Sequence, residues 1–242
     1  MDIGSQDHRN IGSQEHRITG TQEQKIMAFI LSIINEKGGS GKSTLSRLLA
    51  TEFTRDGWDV KIADLDPQGT CVSWALYRTK SKVDPAIAVE PFRNIADALK
   101  HANAHNMLII DSHGRADRDT FGIAKVSNMI LIPTKPTQDD LAPSIILAHE
   151  LKENGINPNI MFFVLNQTAG QNPVLRARNA IRKSGYQYIK EHLPAKDSYS
   201  IAMQDGKSPS EASHPSPKSK AIELYEGISE AIAKLQEEIE RK

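Results

Sequence analysis

The sequence predicts an α/β fold: a doubly wound, mainly parallel sheet with helices on both faces, forming a single domain. Three observations lead there. From residue 28 onward, short apolar runs alternate with helix-length stretches, the pattern of parallel strands covered on both sides. The first apolar run, 29–34, feeds a glycine-rich turn that opens onto helix-prone residues. Asp64, Asp66 and Asp111 sit at the ends of apolar runs, which places carboxylates at the carboxyl edge of such a sheet, where open α/β folds bind ligands.

Taken in order, the first 26 residues carry an imperfect eight-residue repeat, Gly-Ser-Gln-Asp-His-Arg from Gly4, Gly-Ser-Gln-Glu-His-Arg from Gly12 and Gly-Thr-Gln-Glu-Gln-Lys from Gly20. So polar a segment cannot offset its ordering entropy by burial, and residues 1–26 are expected to form a disordered arm before a domain spanning 27–242. Met27 is a candidate functional start. Apolar runs at 29–34, 60–63, 87–89, 107–110, 129–132 and 160–165 predict about six strands. Helical patterns predict helices over 43–55, 70–78, 94–104, 139–153 and 173–184. The Ser-, Pro- and Lys-rich stretch 196–220 reads as a long loop, and a final helix is expected over 221–240.

Composition narrows the function. The chain has 242 residues, 38% of them hydrophobic, and a formal net charge of zero, enough for one α/β domain with a real core. Zero net charge argues against binding nucleic acid with the whole surface but leaves room for a local basic patch. No apolar stretch approaches the roughly 20 residues needed to span a bilayer, and the polar N-terminus lacks the apolar core of a secretory signal, so a cytoplasmic protein is expected. The single cysteine, Cys71, excludes an internal disulfide and a cysteine-held iron–sulfur cluster. It reads as a small buried hydrophobe.

Residues 35–44 read Asn-Glu-Lys-Gly-Gly-Ser-Gly-Lys-Ser-Thr. Gly38, Gly39 and Gly41 let the backbone bring successive N–H groups to phosphate oxygens, with Ser40 between them and Thr44 closing the loop. The helix opening near Lys42 adds unpaired N–H groups and its positive dipole end, Lys42 reaches the β- and γ-phosphates, and the Ser43 hydroxyl suits Mg²⁺. The generic G-x-x-x-x-G-K-[ST] pattern needs glycine where this chain has Glu36, and a second lysine, Lys37, stands ahead of the glycines.

That loop, K-G-G-x-G-K-[ST], resembles the deviant Walker A box of the ParA/MinD family of P-loop ATPases. Asp64-Leu-Asp-Pro-Gln-Gly69 is similar to the family's second motif, and Met107-Leu-Ile-Ile-Asp-Ser-His-Gly114 to its Walker B strand and switch. The Pro-Gln after Asp66 is similar to the ParA branch. The resemblance implies an ATP- and Mg²⁺-dependent homodimer in which Lys37 reaches the partner's nucleotide. Asp64 and Asp111 hold Mg²⁺ through water, Asp66 activates the attacking water, and Asn166 contacts adenine. Lys37, Lys42 and Asp66 are thus the expected catalytic residues. His113 stands where the family more often has Pro or Gly, and Arg115 follows it in the γ-phosphate-sensing switch. No Asn-Lys-x-Asp guanine signature occurs, which favours ATP over GTP, and residues 194–197 are a candidate frame for the base.

Two helices bear on partners. Arg176, Arg178, Arg182 and Lys183 lie opposite Val174, Ala177 and Ile181 at helical spacing, so they form either a solvated face or a sequence-independent DNA contact. The family resemblance implies nonspecific nucleoid DNA and a ParB-like or ribbon-helix-helix centromere-binding partner. The last helix carries an apolar stripe of Ile222, Tyr225, Ile228, Ile232, Leu235 and Ile239 beside Glu223, Glu226, Glu230 and Glu237. Anionic lipids would repel such a face, so it is expected to pack on the domain and not on a membrane. The combined expectation is a ParA-type partition ATPase. Alternatives are a positioning ATPase for another cargo, an ATP-dependent amide or carboxylate ligase of related fold, and a binding switch with negligible hydrolysis.

Overall fold

The computed structural model describes residues 28–113 and 118–241. The N-terminal arm, Met27 and Arg115 lie outside the described residues. The elements run β1 (Phe29–Ile33), α1 (Lys42–Arg55), β2 (Val60–Asp64), α2 (Thr70–Lys80), β3 (Ala88–Pro91), α3 (Ile95–Lys100), β4 (Met107–Asp111), α4 (Arg118–Val126), β5 (Met129–Thr134), α5 (Gln138–Glu153), β6 (Met161–Thr168), α6 (Gln171–Lys183), β7 (Gln187–Pro194), α7 (Asp197–Gln204) and α8 (Pro215–Glu240). The strands form one sheet in the order β3-β2-β4-β1-β5-β6-β7, and every pairing is parallel.

Strand side chains alternate between the two faces, and each face is buried by its own set of helices. Leu31, Ile33, Ile62, Ile109, Leu131 and Val164 pack with α1, α2, α7 and α8. Ala63, Leu108, Ile110, Ile130, Ile132 and Leu165 pack with α3 to α6. This explains why the central strands read as continuous apolar runs with no polar alternation.

The order of the chain reverses between β1 and β4: the connection from β1 goes one way along the sheet and that from β4 goes the other. The crevice above such a reversal is the standard ligand position in open α/β sheets. Register places Asp111 level with Ile33 on one side and Asp64 on the other, so the turn after β1 and both aspartates share one edge.

Three expectations need correction. Among the described residues the sheet has a seventh strand, β7, an edge strand paired to β6, in which Ile189 and Leu193 are buried among charged and polar neighbours. Helix α4 has no counterpart among the expected helices, because its buried Ile123 and Ala124 make too narrow an apolar stripe. The stretch 196–220 is largely helical: it holds α7, a 3₁₀ turn at Pro209–Glu211 and the start of α8. Its prolines sit in first turns, where a missing N–H costs little. The last helix does pack on the domain, burying Ala221, Leu224, Tyr225, Ile228, Ile232 and Leu235, while Ile222 is only half-buried.

Candidate functional site

β1 delivers the chain to the carboxyl edge, and the glycine turn folds back to start α1. Gly39 and Gly41 take φ of 73° and 102°, a region closed to most side chains. Gly41 is also pressed against Asn166: a Cβ there would lie 1.7 Å from the Asn166 Nδ2. Gly41 precedes the first residue of α1 with no side-chain cap, and the first turn holds no acidic residue. The unpaired N–H groups of the helix therefore face an open cleft.

That cleft is a cavity of about 660 Å³ lined by the loop glycines, Lys42, Ser43, Thr44, Asp66, Gln68, Thr70, His113 and Gln167. The Lys42 side chain is buried, and its Nζ donates to the carbonyl of Asn35 at 2.9 Å. Burial lowers the Lys42 pKa, and the charges of Asp111 and Asp66 oppose that fall. Asn35 ties the loop to the sheet and α5: its Nδ2 donates to the carbonyl of Pro133 at 2.6 Å and to the Ser144 hydroxyl at 2.9 Å, while its Oδ1 accepts from the Lys37 N–H.

The three aspartates separate into different roles. Asp111 is fully buried; its carboxylate accepts from the Ser46 hydroxyl at 3.0 Å and the Cys71 thiol at 3.1 Å. Burial pushes its pKa up, and donors including Cys71, Ser43 and Ser46 work against that. Ser43 also accepts a hydrogen bond from the Thr70 hydroxyl at 3.0 Å. Asp66 faces the cavity, and its Oδ1 accepts from the Gln68 N–H at 2.9 Å.

Asp64 is not a wall of the cavity. Its Oδ2 accepts from the N–H groups of Cys71 and Val72 at 3.0 and 3.1 Å, capping α2, and its Oδ1 accepts from the Asp66 N–H at 3.1 Å. Burial and then the nearby Asp111 charge raise its pKa, and these N–H donors counter them. Both carboxylate oxygens are therefore engaged with backbone N–H groups at the start of α2 and of the turn after β2. Asn166 also sits behind the loop: its Nδ2 donates to the Ser40 carbonyl at 3.1 Å and its Oδ1 accepts from the Gln167 N–H at 2.9 Å. Gln167, and not Asn166, is among the residues that line the cavity.

Lys37 does not line its own cavity. It points to α5, where its Nζ meets the carboxylate of Asp140 at 2.8 Å and the carbonyl of Asp139 at 2.9 Å. On α6, Arg176, Arg182 and Lys183 are exposed and Val174, Ala177 and Ile181 are buried. Arg178 departs from that face. It bends over the ring of Tyr188 and donates to the Lys190 carbonyl on β7, so it is engaged in packing.

Sequence reasoning missed Ser46, Thr70 and Gln167 as contributors and read Cys71 as purely apolar. Ser46 lies one helical turn beyond Lys42, a spacing that signals a shared face but not a carboxylate partner.

Among the described residues, no group of three or more His, Cys, Asp or Glu side chains is arranged to hold a metal. A divalent ion here would rely on the Ser43 hydroxyl, substrate phosphates and water, with Asp111 behind, the oxygen set that Mg²⁺ prefers. No described helix is long and apolar enough to cross a membrane.

Comparison with known proteins agrees with this geometry. Residues 31–209 match the CobQ/CobB/MinD/ParA nucleotide binding domain. The chain is 28% identical over 189 residues to the Maintenance of carboxysome distribution protein A of Halothiobacillus neapolitanus, covering 74% of this chain and 85% of that one. It is 25% identical over 184 residues to Protein ParA of Rhizobium radiobacter, covering 73% and 83%. The solved structure of the cell division ATPase MinD of Pyrococcus furiosus superposes with a TM-score of 0.68 at 15% identity, over 84% of this chain and 99% of that one. With the phosphate-type loop, the parallel seven-stranded sheet and a family match over most of its length, the chain belongs to the ParA/MinD family of nucleotide-binding proteins.

Proposed function

We propose that this protein is a ParA-type partition ATPase, an ATP- and Mg²⁺-dependent switch that dimerises around nucleotide, holds DNA nonspecifically and is reset by hydrolysis. The observation that carries the reading is the division between its two loop lysines. Lys42 is buried at the wall of the cavity, while Lys37 leaves from the same loop and is held outside it on α5. One lysine serves the chain's own nucleotide, and the other, once it leaves Asp140, serves a second copy's.

Within the cavity the loop N–H groups and Lys42 counter phosphate charge, and Ser43 presents its hydroxyl for Mg²⁺. A bound Mg²⁺, held by the Ser43 hydroxyl, would supply positive charge against the phosphate oxygens. Asp66 faces the cavity with one carboxylate oxygen turned to the Gln68 N–H, which suits it to orient an attacking water. The exposed Arg176, Arg182 and Lys183 supply a sequence-independent contact to DNA phosphates. A centromere-binding protein of ParB-like or ribbon-helix-helix type accelerates turnover, and the protein works in the cytoplasm on the nucleoid.

A second reading has one specific support: the 28% identity to a carboxysome-distribution protein favours the same switch acting on a cargo other than DNA. The test is dimerisation by light scattering together with DNA retention, in ADP, ATP and ATP with Asp66→Ala, at two salt concentrations. The proposal expects a DNA-holding dimer with ATP alone, lost with Lys37→Ala and prolonged by Asp66→Ala. A monomer that ignores DNA in every state would sink it. A DNA-holding dimer with no effect on plasmid inheritance would shift the choice to another cargo.

A further inference from the structure

The last residues of β6 do something unusual to the glycine turn. Asn166 donates its side-chain amide to the Ser40 carbonyl at 3.1 Å, and Gln167, its neighbour, donates its own to the Gly39 carbonyl at 2.9 Å. Two consecutive side-chain amides thus hold two consecutive carbonyls. Gln167 does this at a φ of 49°, left-handed backbone that residues other than glycine seldom adopt. The Asn166 side chain is fixed in turn, since its Oδ1 accepts the Gln167 N–H at 2.9 Å and its amide fills the space a Gly41 Cβ would need.

A trans peptide is planar, with its C=O and N–H on opposite sides. Holding the Gly39 carbonyl therefore aims the N–H of Ser40 the other way, and holding the Ser40 carbonyl does the same for the N–H of Gly41. Both are loop amides of the kind that form an anion nest. We infer that Asn166 and Gln167 act as a paired clamp that presets the Ser40 and Gly41 N–H groups toward phosphate, and that they are positioning residues for the polyphosphate. This inference rests on the proposed nucleotide site and assigns Asn166 a task different from contact with the base. A loop held in its binding geometry before the ligand arrives spares the cost of ordering it on binding.

The experiment uses the full chain and the isosteric Gln167→Met, which keeps side-chain length and removes the donor. Calorimetry measures affinity for ATP, GTP and inorganic tripolyphosphate, and amide hydrogen exchange follows Ser40 and Gly41 without ligand. Loss of one such hydrogen bond is expected to weaken all three ligands by a common factor of about five. Exchange at Ser40 should speed up more than at Gly41, whose amide the intact Asn166 still presets. Gln167→Lys, which restores a donor, should bring ligand-free exchange at Ser40 back toward the wild-type rate. Unchanged affinities, or a loss confined to ATP with tripolyphosphate unaffected, would overturn the clamp. Failure of the wild-type chain to bind any of the three overturns the site reading itself, which is a different result from a clamp variant that binds as well as wild type.

Discussion

The Lys37 ammonium lies 2.8 Å from the Asp140 carboxylate, so the residue that distinguishes this loop is held on α5 of its own chain. Burial works to raise the Asp140 pKa, but hydrogen bonds from Lys37 and Thr137 together with the Lys37 charge hold it below the ordinary range. The carboxylate is therefore ionised at neutral pH, and Lys37 must leave it before it can reach a second copy.

Freeing Lys37 should promote association. The pair is partly exposed, with side chains 41% and 12% accessible, so it is worth at most about 1 kcal/mol. Asp140→Asn is expected to tighten the ATP-dependent dimer by about fivefold per protomer, read by sedimentation equilibrium. Equal dimer affinity in the variant and wild type would show that the ion pair does not restrain Lys37.

Asp66→Asn should leave nucleotide affinity near wild type and slow hydrolysis by about 10²- to 10⁴-fold, the range for removing a positioned general base. Its carboxylate accepts the Gln68 N–H and faces the cavity, so an amide fits the same space. Single-turnover hydrolysis beside equilibrium binding separates the two effects. A variant that hydrolyses normally removes Asp66 from the chemistry.

Gly41→Ala tests the packing of the loop against β6. A methyl group would collide with the Asn166 amide at 1.7 Å and sit on a backbone with φ of 102°. Overpacking alone costs about 1 to 3 kcal/mol, and the positive φ adds to it. Thermal denaturation should show the destabilisation, with nucleotide binding lost at temperatures where the variant is still folded.

Glu211→Ala should cost about 3 kcal/mol or more, because it strands the guanidinium of Arg78, which is 1% exposed. Arg78 meets Glu211 through two hydrogen bonds of 2.7 and 3.1 Å. Burial tends to raise the Glu211 pKa, yet Arg78 and the Ser208 N–H bring it below the usual value of 4.5. Because the folded-state pKa is depressed, this stability is fully present above pH 4.5 and is lost as pH falls through the lower folded value. Denaturant titrations at neutral pH and at stepwise lower pH should show the wild type losing its advantage over Glu211→Ala only on the acid side. A constant gap across that range would refute the assignment.

On α6, Arg176→Glu and Arg182→Glu should each weaken DNA retention and flatten its salt dependence, by about one unit of log–log slope for each phosphate no longer neutralised. Arg178→Ala should act mainly on stability, since its guanidinium lies over Tyr188 and bonds the Lys190 carbonyl. Retention across a salt series, paired with melting curves, distinguishes them.

The sheet's central strands and the glycine loop were legible because burial on both faces leaves unbroken apolar runs, and because the loop's chemistry demands particular residues in particular places. β7 was not, since an edge strand with one neighbour needs only Ile189 and Leu193 inside. α7 was hidden by the Ser and Pro around it, whose prolines mark the starts of helical turns as readily as loops. In the site, strand-end aspartates were found at the correct edge, but position along a strand does not say where a carboxylate turns. Asp64 turned to the α2 amides and Asp66 to the cavity, a difference decided by backbone geometry two residues apart.

Helix α2 is pegged at both ends. Asp64 grips its first turn, and Arg78 near its far end reaches the carbonyls of Pro85 and Gly206 as well as Glu211. The short span from Asp66 to Gly69 is thereby strung between the end of β2 and a helix that has little room to slide. Asp66 is like a hand resting on a fixed rail: it can re-aim by a turn of the wrist but not travel. If Asp66 handles the attacking water as proposed, anchoring of this kind leaves the timing of hydrolysis to what arrives opposite it.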